Sequence, residues 1–439
     1  MNLFWKKLFG GFVSTEKYEQ GEEELLQSMM RFDKVAESPE LKEYQELFHV
    51  VKSASFQDNR HILKNRKYKD TEEYSILKKY NKLHNSSDIQ LYFQVLNSDI
   101  LAEYLEFEKT PEYEQLGDKK KVAQSAELTK FKKFEHSEMY KTYRRFYGSY
   151  ALKEYEQLKE KVADPEFIKS NEFWSNPQRW HTTAEYQTEM RYYELGDLDD
   201  VKFYTNEKPA RFEKLRLLTK TFDDQFYWSD LQESKWRCGY YYSNEKLKSN
   251  HSFANEMQAN NHGKNVVTQG GVIKIETKSE QVSDIAWHNL QGFINRQFSY
   301  TSDVIQTANN FNQKYGLFTA KIKCSGSINH SVWLGTGEKQ PRISLFHYDG
   351  KSIKVGAVTS TKTAMEKVSG ISPAEYYIYT LMWTENELVW KINNVEVYRT
   401  PNNFSNQEMY LGLNSFISES QKASTGSLEL QWVKVYSSN

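Results

Sequence analysis

The chain has 439 residues, too many for one compact core, so two or three domains are expected. Its 58 basic and 59 acidic residues leave a net charge of -1, which removes the general electrostatic reason to expect DNA or RNA as a partner. The two cysteines, Cys238 and Cys324, have neither CxxC spacing nor clustered histidines around them, so no disulfide framework or metal site is suggested and no cofactor is expected.

The chain opens on "MNLFWKKLFGGF". Leu3, Phe4, Trp5, Leu8, Phe9 and Phe12 fall largely on one side of a helical wheel, with Lys6 and Lys7 toward the other, and two glycines end the pattern. Residues 1–13 are therefore expected to form a short amphipathic segment. It would dock on a membrane surface or a partner, or else pack on the chain's own helical domain. Its lysines interrupt the apolar stretch and no small-residue cleavage site follows, so it does not read as a secretory signal. Nowhere else does an apolar run approach the roughly 20 residues of a membrane span. The expectation is a cytoplasmic protein, with peripheral membrane contact at most.

Residues 1–200 hold 31 basic and 37 acidic residues with six glycines, whereas residues 201–439 hold 27 and 22 with fourteen glycines. The first half is charge-dense and rich in helix formers. Within it, apolar or aromatic residues return at three-residue spacing: Leu41/Tyr44/Leu47, Leu77/Tyr80/Leu83, Leu101/Tyr104/Phe107, Leu128/Phe131/Phe134 and Leu152/Tyr155/Leu158. Each triad places one stripe on a helix face. "LKEYQELFHVVKSASF" from Leu41 and "LKEYEQLKEKVADPEF" from Leu152 align without a gap, which marks an internal repeat. The intervals are too irregular for a strict solenoid and suit an array of short helices. Starts are signalled by "SPEL" at Ser38, "TPEY" at Thr110, "SAEL" at Ser125, "DPEF" at Asp164 and "TAEY" at Thr183, where a side-chain oxygen can cap. Residues 14–205 are thus expected to be an all-α helical-repeat domain whose stripes form its core or line a peptide groove. Residues 206–218 read as a linker.

From residue 219 the composition turns to Val, Ile, Thr, Asn and turn glycines, the pattern of short strands. "FDDQF" at Phe222, "LQESKW" ending at Trp236, "GGVIKIET" at Gly270 and "FSYTSDVIQTANNFNQKYGLFTAKIKC" from Phe298 come in order. "YYIYTLMWTENELVWKINNVEVYRT", "MYLGLNSF" from Met409 and "LELQWVKVYSS" from Leu428 follow. This series resembles the catalytic domain of glycoside hydrolase family 16, the laminarinase and endo-glucanase group. The resemblance implies an all-β, concanavalin-like jelly roll over residues 219–439. Asp303 stands where the family usually has Gly, and Asn393–Asn394 where it has an Asp-Gly turn; a pair of asparagines supports the same two-residue turn at positive φ.

Retaining glycosidases need a carboxylate nucleophile and a carboxylic acid roughly 5 to 5.5 Å apart. The resemblance implies that both acids, with a third carboxylate between them, alternate along one strand, here "PRISLFHYDG". Arg342 stands at the nucleophile position and Ser344 at the middle one. His347, or Phe346 if the strand carries no bulge, stands at the acid/base. An arginine forms no glycosyl ester. The nearest acids, Glu338 and Asp349, are predicted in loop or turn. The resemblance further implies that Trp333 underlies the sugar, and Trp287, His288 and Asn289 could lie on the rim, with Arg342, Ser344 and His347 as polar contacts. Trp383, Trp390 and Trp432 are read as sandwich core. The expectation is a catalytically degenerate family 16-like module acting in glycan (β-glucan-like) or protein binding. The rivals are an active hydrolase with rearranged acids and a purely structural scaffold. Glycan binding requires an open cleft with exposed aromatics; a scaffold requires a cleft filled from within.

Overall fold

The computed structural model of the chain describes residues 1–242, 248–337 and 340–438. It divides into two compact units, Met1–Arg31 with Lys208–Asn439, and Phe32–Glu207. The N-terminal half is helical and the C-terminal half is a two-sheet β-sandwich, a jelly roll. Among the described residues no helix is long and apolar enough to cross a membrane.

In the helical unit, cap and stripe keep a fixed phase. Ser38, Ser98, Ser125 and Ser149 each accept a hydrogen bond from the backbone N–H three residues on, and those donors, Leu41, Leu101, Leu128 and Leu152, are the first members of the triads. One Ser-x-x-Leu signature therefore both starts the helix and aims its apolar stripe. Thr183 and Asp164 cap as expected. Thr110 does not: its side chain makes no capping bond, and a 3-10 helix, Pro111–Gly117, follows instead of an α-helix.

The most extensive helix pairings run across the unit. Ala184–Asp197 packs on Pro39–Val51, Tyr150–Ala163 on Glu72–His84, and Glu138–Phe146 on Ser87–Leu96. Each pairing is closed by facing aromatic rings, Tyr44 on Tyr192 at 5.0 Å, Tyr80 on Tyr155 at 5.9 Å and Tyr92 on Tyr143 at 6.0 Å, and Phe107 of Asp99–Phe107 stacks likewise on Phe131 of Ala126–Glu135 at 4.5 Å. The outgoing and returning rows thus form a nested core that, among the described residues, divides into three apolar clusters. The triads point inward, and Leu101, Tyr104, Phe107, Leu128, Phe131, Phe134, Leu152 and Tyr155 are buried.

Among the described residues of the sandwich, one sheet has seven strands in the order Thr363–Val368, Ile353–Val358, Arg342–Asp349, Asn329–Gly335, Tyr410–Phe416, Val304–Gln306 and Arg237–Cys238. The other has eleven, centred on Tyr377–Trp383, Gly316–Ser325, Gly426–Ser438 and Val272–His288. The core lies between them and takes Val332, Leu334, Ile343, Leu345 and Phe346 from one sheet and Phe318, Ile322, Tyr379 and Val433 from the other. Asn393 and Asn394 have φ of 43° and 62° and turn Glu387–Ile392 into Val395–Pro401, the left-handed pair that a two-residue hairpin needs. Trp383 and Trp390 are core, but Trp432 is only partly buried and donates its Nε1–H to Glu19 at 2.9 Å on the far face of the eleven-stranded sheet.

Asp303, in place of a glycine, is fully buried and accepts N–H bonds from Asn261, Gly263 and Asn265 at 3.0, 3.0 and 2.9 Å. Burial pushes its carboxyl up to about 6 against these bonds. The side chain holds the turn 261–265 that a glycine there would leave unbonded.

The six apolar residues of the N-terminal segment do not share one face, which corrects the helical-wheel reading. The helix is only Phe4–Leu8, and Gly10 at φ 74° turns the chain after it. Leu3 and Phe12 are buried in the sandwich core, while Phe4, Trp5, Leu8 and Phe9 are exposed.

Candidate functional site

The strand Arg342–Asp349 carries a register shift against both neighbours, between Ser344 and His347. Phe346 pairs with Val332 and Ser344 with Trp333, so Leu345 is the extra residue. Leu345 and Phe346 both enter the core, and Arg342, Ser344 and His347 emerge together on the opposite face. Of the two placements the sequence leaves open, His347 occupies this face and Phe346 packs on Tyr379.

Trp333 forms the floor. Its indole lies on two glycines: a Cβ at Gly412 would come within 2.3 Å of the ring and one at Gly335 within 2.6 Å. Its Nε1–H donates to Asn414 Oδ1 at 3.0 Å. Above the ring stands Arg342, its guanidinium carbon 4.5 Å from the ring centre, with Nη2 donating to the same Asn414 oxygen at 3.5 Å. Among the described residues Arg342 Nε has no hydrogen-bond partner. Burial pushes the guanidinium down to about 10, with Tyr240, Tyr410 and Glu256 opposing, so it stays charged at neutral pH.

Aromatic side chains cover the remainder. Tyr410 meets Trp333 edge-on at 5.6 Å and Tyr241 at 5.6 Å, and Ala308 completes this small cluster. Tyr240 is half-buried, packs on His251 and Phe253 at 5.2 Å each, and is held by N–H donation to the Ser249 carbonyl at 2.7 Å. Trp333 is only 6% exposed, so no broad ring face is open to a sugar.

His347 Nδ1 lies 2.7 Å from Ser331 Oγ. Burial pushes its imidazole down to about 4, with neighbouring Arg342 adding to the effect, so it is neutral at pH 7 and holds no proton to give a leaving group. Ser331 is fully buried, which keeps this Ser–His pair from an incoming substrate. Asp349 ends the strand; burial raises its carboxyl, but bonds from Lys354, Ser352 and Lys351 outweigh that and hold it well below the usual carboxylate range. Glu338 lies outside the described residues. The carboxylate felt by Arg342 is Glu256, buried and accepting from Phe253 N–H at 2.9 Å and Gln258 Nε2 at 3.2 Å.

Trp287, His288 and Asn289 sit at the turn end of the hairpin Val272–His288 and Gly292–Ser302. Trp287 packs on Phe293 at 4.8 Å, and Phe293 on His251 at 5.3 Å, so this group joins the Tyr240 cluster instead of touching Trp333. Tyr240, Tyr241, Glu256 and Asn414 went unread in the sequence; the run "CGYYY" at Cys238 was the available signal. Among the described residues no three His, Cys, Asp or Glu side chains group to hold a metal ion.

Solved structures similar to the C-terminal half include glucanases. The catalytic domain of an endo-1,3-β-glucanase (laminarinase) from Thermotoga petrophila is 16% identical, covering 51% of this chain and 98% of its own, with a TM-score of 0.41. The endo-β-1,3-glucanase of Pyrococcus furiosus is 14% identical over 51% of this chain and 95% of its own, TM-score 0.41. A non-specific endo-β-1,3(4)-glucanase of family GH16 is 19% identical over 51% and 92%, TM-score 0.41. No protein-family model matches the chain, and no curated protein does.

Proposed function

We propose that the sandwich is a non-hydrolytic module that works in binding or assembly, with the helical unit as a second interaction surface. The observation that carries this reading is Arg342 stacked on Trp333 at 4.5 Å. A fixed cation fills the space above the aromatic floor, and neither Ser344 nor neutral His347 supplies an acid. The cover of Tyr240, Tyr241 and Tyr410 favours a protein contact over a glycan in the cleft, because a sugar needs an open ring face to stack on.

A second reading, hydrolysis by rearranged acids, draws on Glu256, whose carboxylate lies within electrostatic reach of Arg342. One carboxylate bound by two donors leaves the two-acid mechanism half built. Incubation of the pure chain with laminarin, lichenan, agarose and carrageenan is expected to release no reducing ends. Release abolished by Glu256→Gln would overturn the proposal in favour of the hydrolase. Glycan-array binding that Tyr241→Ala abolishes would return the cleft to a sugar.

A further inference from the structure

Phe4, Trp5, Leu8 and Phe9 are 53, 57, 62 and 79% exposed on one short helix and its C-cap. Their rings touch each other, Trp5 on Phe9 at 6.1 Å and Phe4 edge-on to Trp5 at 5.4 Å. Four large apolar groups left together in water are costly, and such a patch marks a contact surface.

The ridge is not a loose tail. On one side Leu3 is fully buried, its N–H donating to Ser369 at 2.8 Å, and Gly370 at φ 83° leaves room for the segment: a Cβ there would come within 2.3 Å of Phe4 N. On the other side Phe12 packs on Tyr377 at 5.9 Å, Lys7 Nζ donates to Tyr377 Oη at 2.8 Å, and Asn393 donates to Val13 O at 3.1 Å. Both flanks are clamped to the sandwich, so the four side chains are held outward and little conformational entropy is lost when they are covered.

We propose that this ridge inserts into a lipid surface bearing anionic headgroups. Phe, Trp and Leu beside lysine is the composition of an interfacial segment, where rings sit at headgroup depth and ammonium groups meet phosphates. Lys6 and Lys7 are the only charged residues among the first fifteen. The carboxylates nearby are engaged: Glu366 with the Met1 ammonium, Glu375 with Tyr377 Oη and with Lys7 Nζ at 3.7 Å, and Glu396 with Arg399 at 2.8 Å, so Lys6 is the lysine that meets the headgroups. A ridge that stands more than half exposed at every position suits a deformable medium better than a matched protein groove.

The test is co-sedimentation of the full chain with phosphatidylcholine vesicles, with and without phosphatidylserine. Binding is expected to rise with phosphatidylserine and to fall with salt. The Trp5→Ser/Phe9→Ser double variant should bind at least about tenfold more weakly, with unchanged thermal melting because both side chains are exposed. Wild-type chain that sediments with neither vesicle, or a double variant that binds as well as wild type, overturns the proposal. Self-association in solution that the double variant abolishes assigns the ridge to a second copy and overturns it equally.

Discussion

Arg342 and Trp333 are stacked at 4.5 Å and share one acceptor, the Asn414 side-chain oxygen, at 3.5 and 3.0 Å. The cation, the indole and the amide form one unit, so restoring a carboxylate at position 342 alone does not restore a glycosidase. Arg342→Glu is expected to show no hydrolysis. It should lose about 3 to 5 kcal/mol of stability, because an unpaired carboxylate would stand buried near Glu256. Arg342→Met, which keeps the volume without the charge, should cost less. Urea denaturation of the three proteins checks the order, and a glutamate variant as stable as wild type would show that the stacked unit carries no stability.

Acid sensitivity follows from the same sheet. His330, fully buried between Ser415 Oγ and Ser325 O, and His347 are both pushed down to about 4 by burial. The folded state therefore prefers the neutral ring. As pH falls from the ordinary histidine value near 6.5 toward 4, the unfolded chain takes up protons first and stability declines. Asp303 runs the other way: raised to about 6, its contribution is full at low pH and is lost as pH climbs through that value. Between pH 6.5 and 4 the two histidines are expected to outweigh the one carboxylate, so the melting temperature falls. His347→Gln should flatten that fall, and an identical slope in wild type and variant would refute the assignment.

Asp303→Gly substitutes the residue usual in the resembling family, yet it should not be neutral. It removes the acceptor of three buried or part-buried N–H groups, each worth about 1 to 3 kcal/mol when left unpaired. Amide exchange at Asn261, Gly263 and Asn265 is expected to accelerate ahead of the sheet core. Unchanged protection at all three would mean that water replaces the carboxylate without loss.

What the sequence made legible was whatever rests on local period and local chemistry. The three-residue stripes placed Leu101, Tyr104 and Phe107 in the helical core, and the paired asparagines placed the 393–394 turn. The bulge at Leu345 stayed open because a single-residue slip turns every following side chain to the other face, and the slip is set by neighbouring strands. The cover over Trp333 was not legible either. Tyr240 comes within electrostatic reach of Arg342, a tertiary outcome. The wheel over residues 3–12 failed at Gly10, where the helix it assumed has already ended.

The helical unit separates cap energy from rung energy, because in Asp99–Phe107 the two sit at opposite ends of one helix. Ser98 caps Asp99–Phe107 through the Leu101 N–H, a local bond, so Ser98→Ala should cost about 1 kcal/mol. Phe107, at the other end of the same helix, stacks on Phe131 of the returning row at 4.5 Å and 25°. Phe107→Ala or Phe131→Ala should each cost about 3 to 5 kcal/mol as a large-to-small change in a packed core. Since the two rings fill one space, the double variant should lose less than the sum, with a coupling of about 0.5 to 1.5 kcal/mol. Ser98→Ala combined with Phe131→Ala, by contrast, should be close to additive. A double-mutant cycle by chemical denaturation of the full chain reads both quantities. Additivity of the Phe107 and Phe131 losses would mean that the rows do not depend on each other across the rung, and the nested core would have to be replaced by independent helical hairpins.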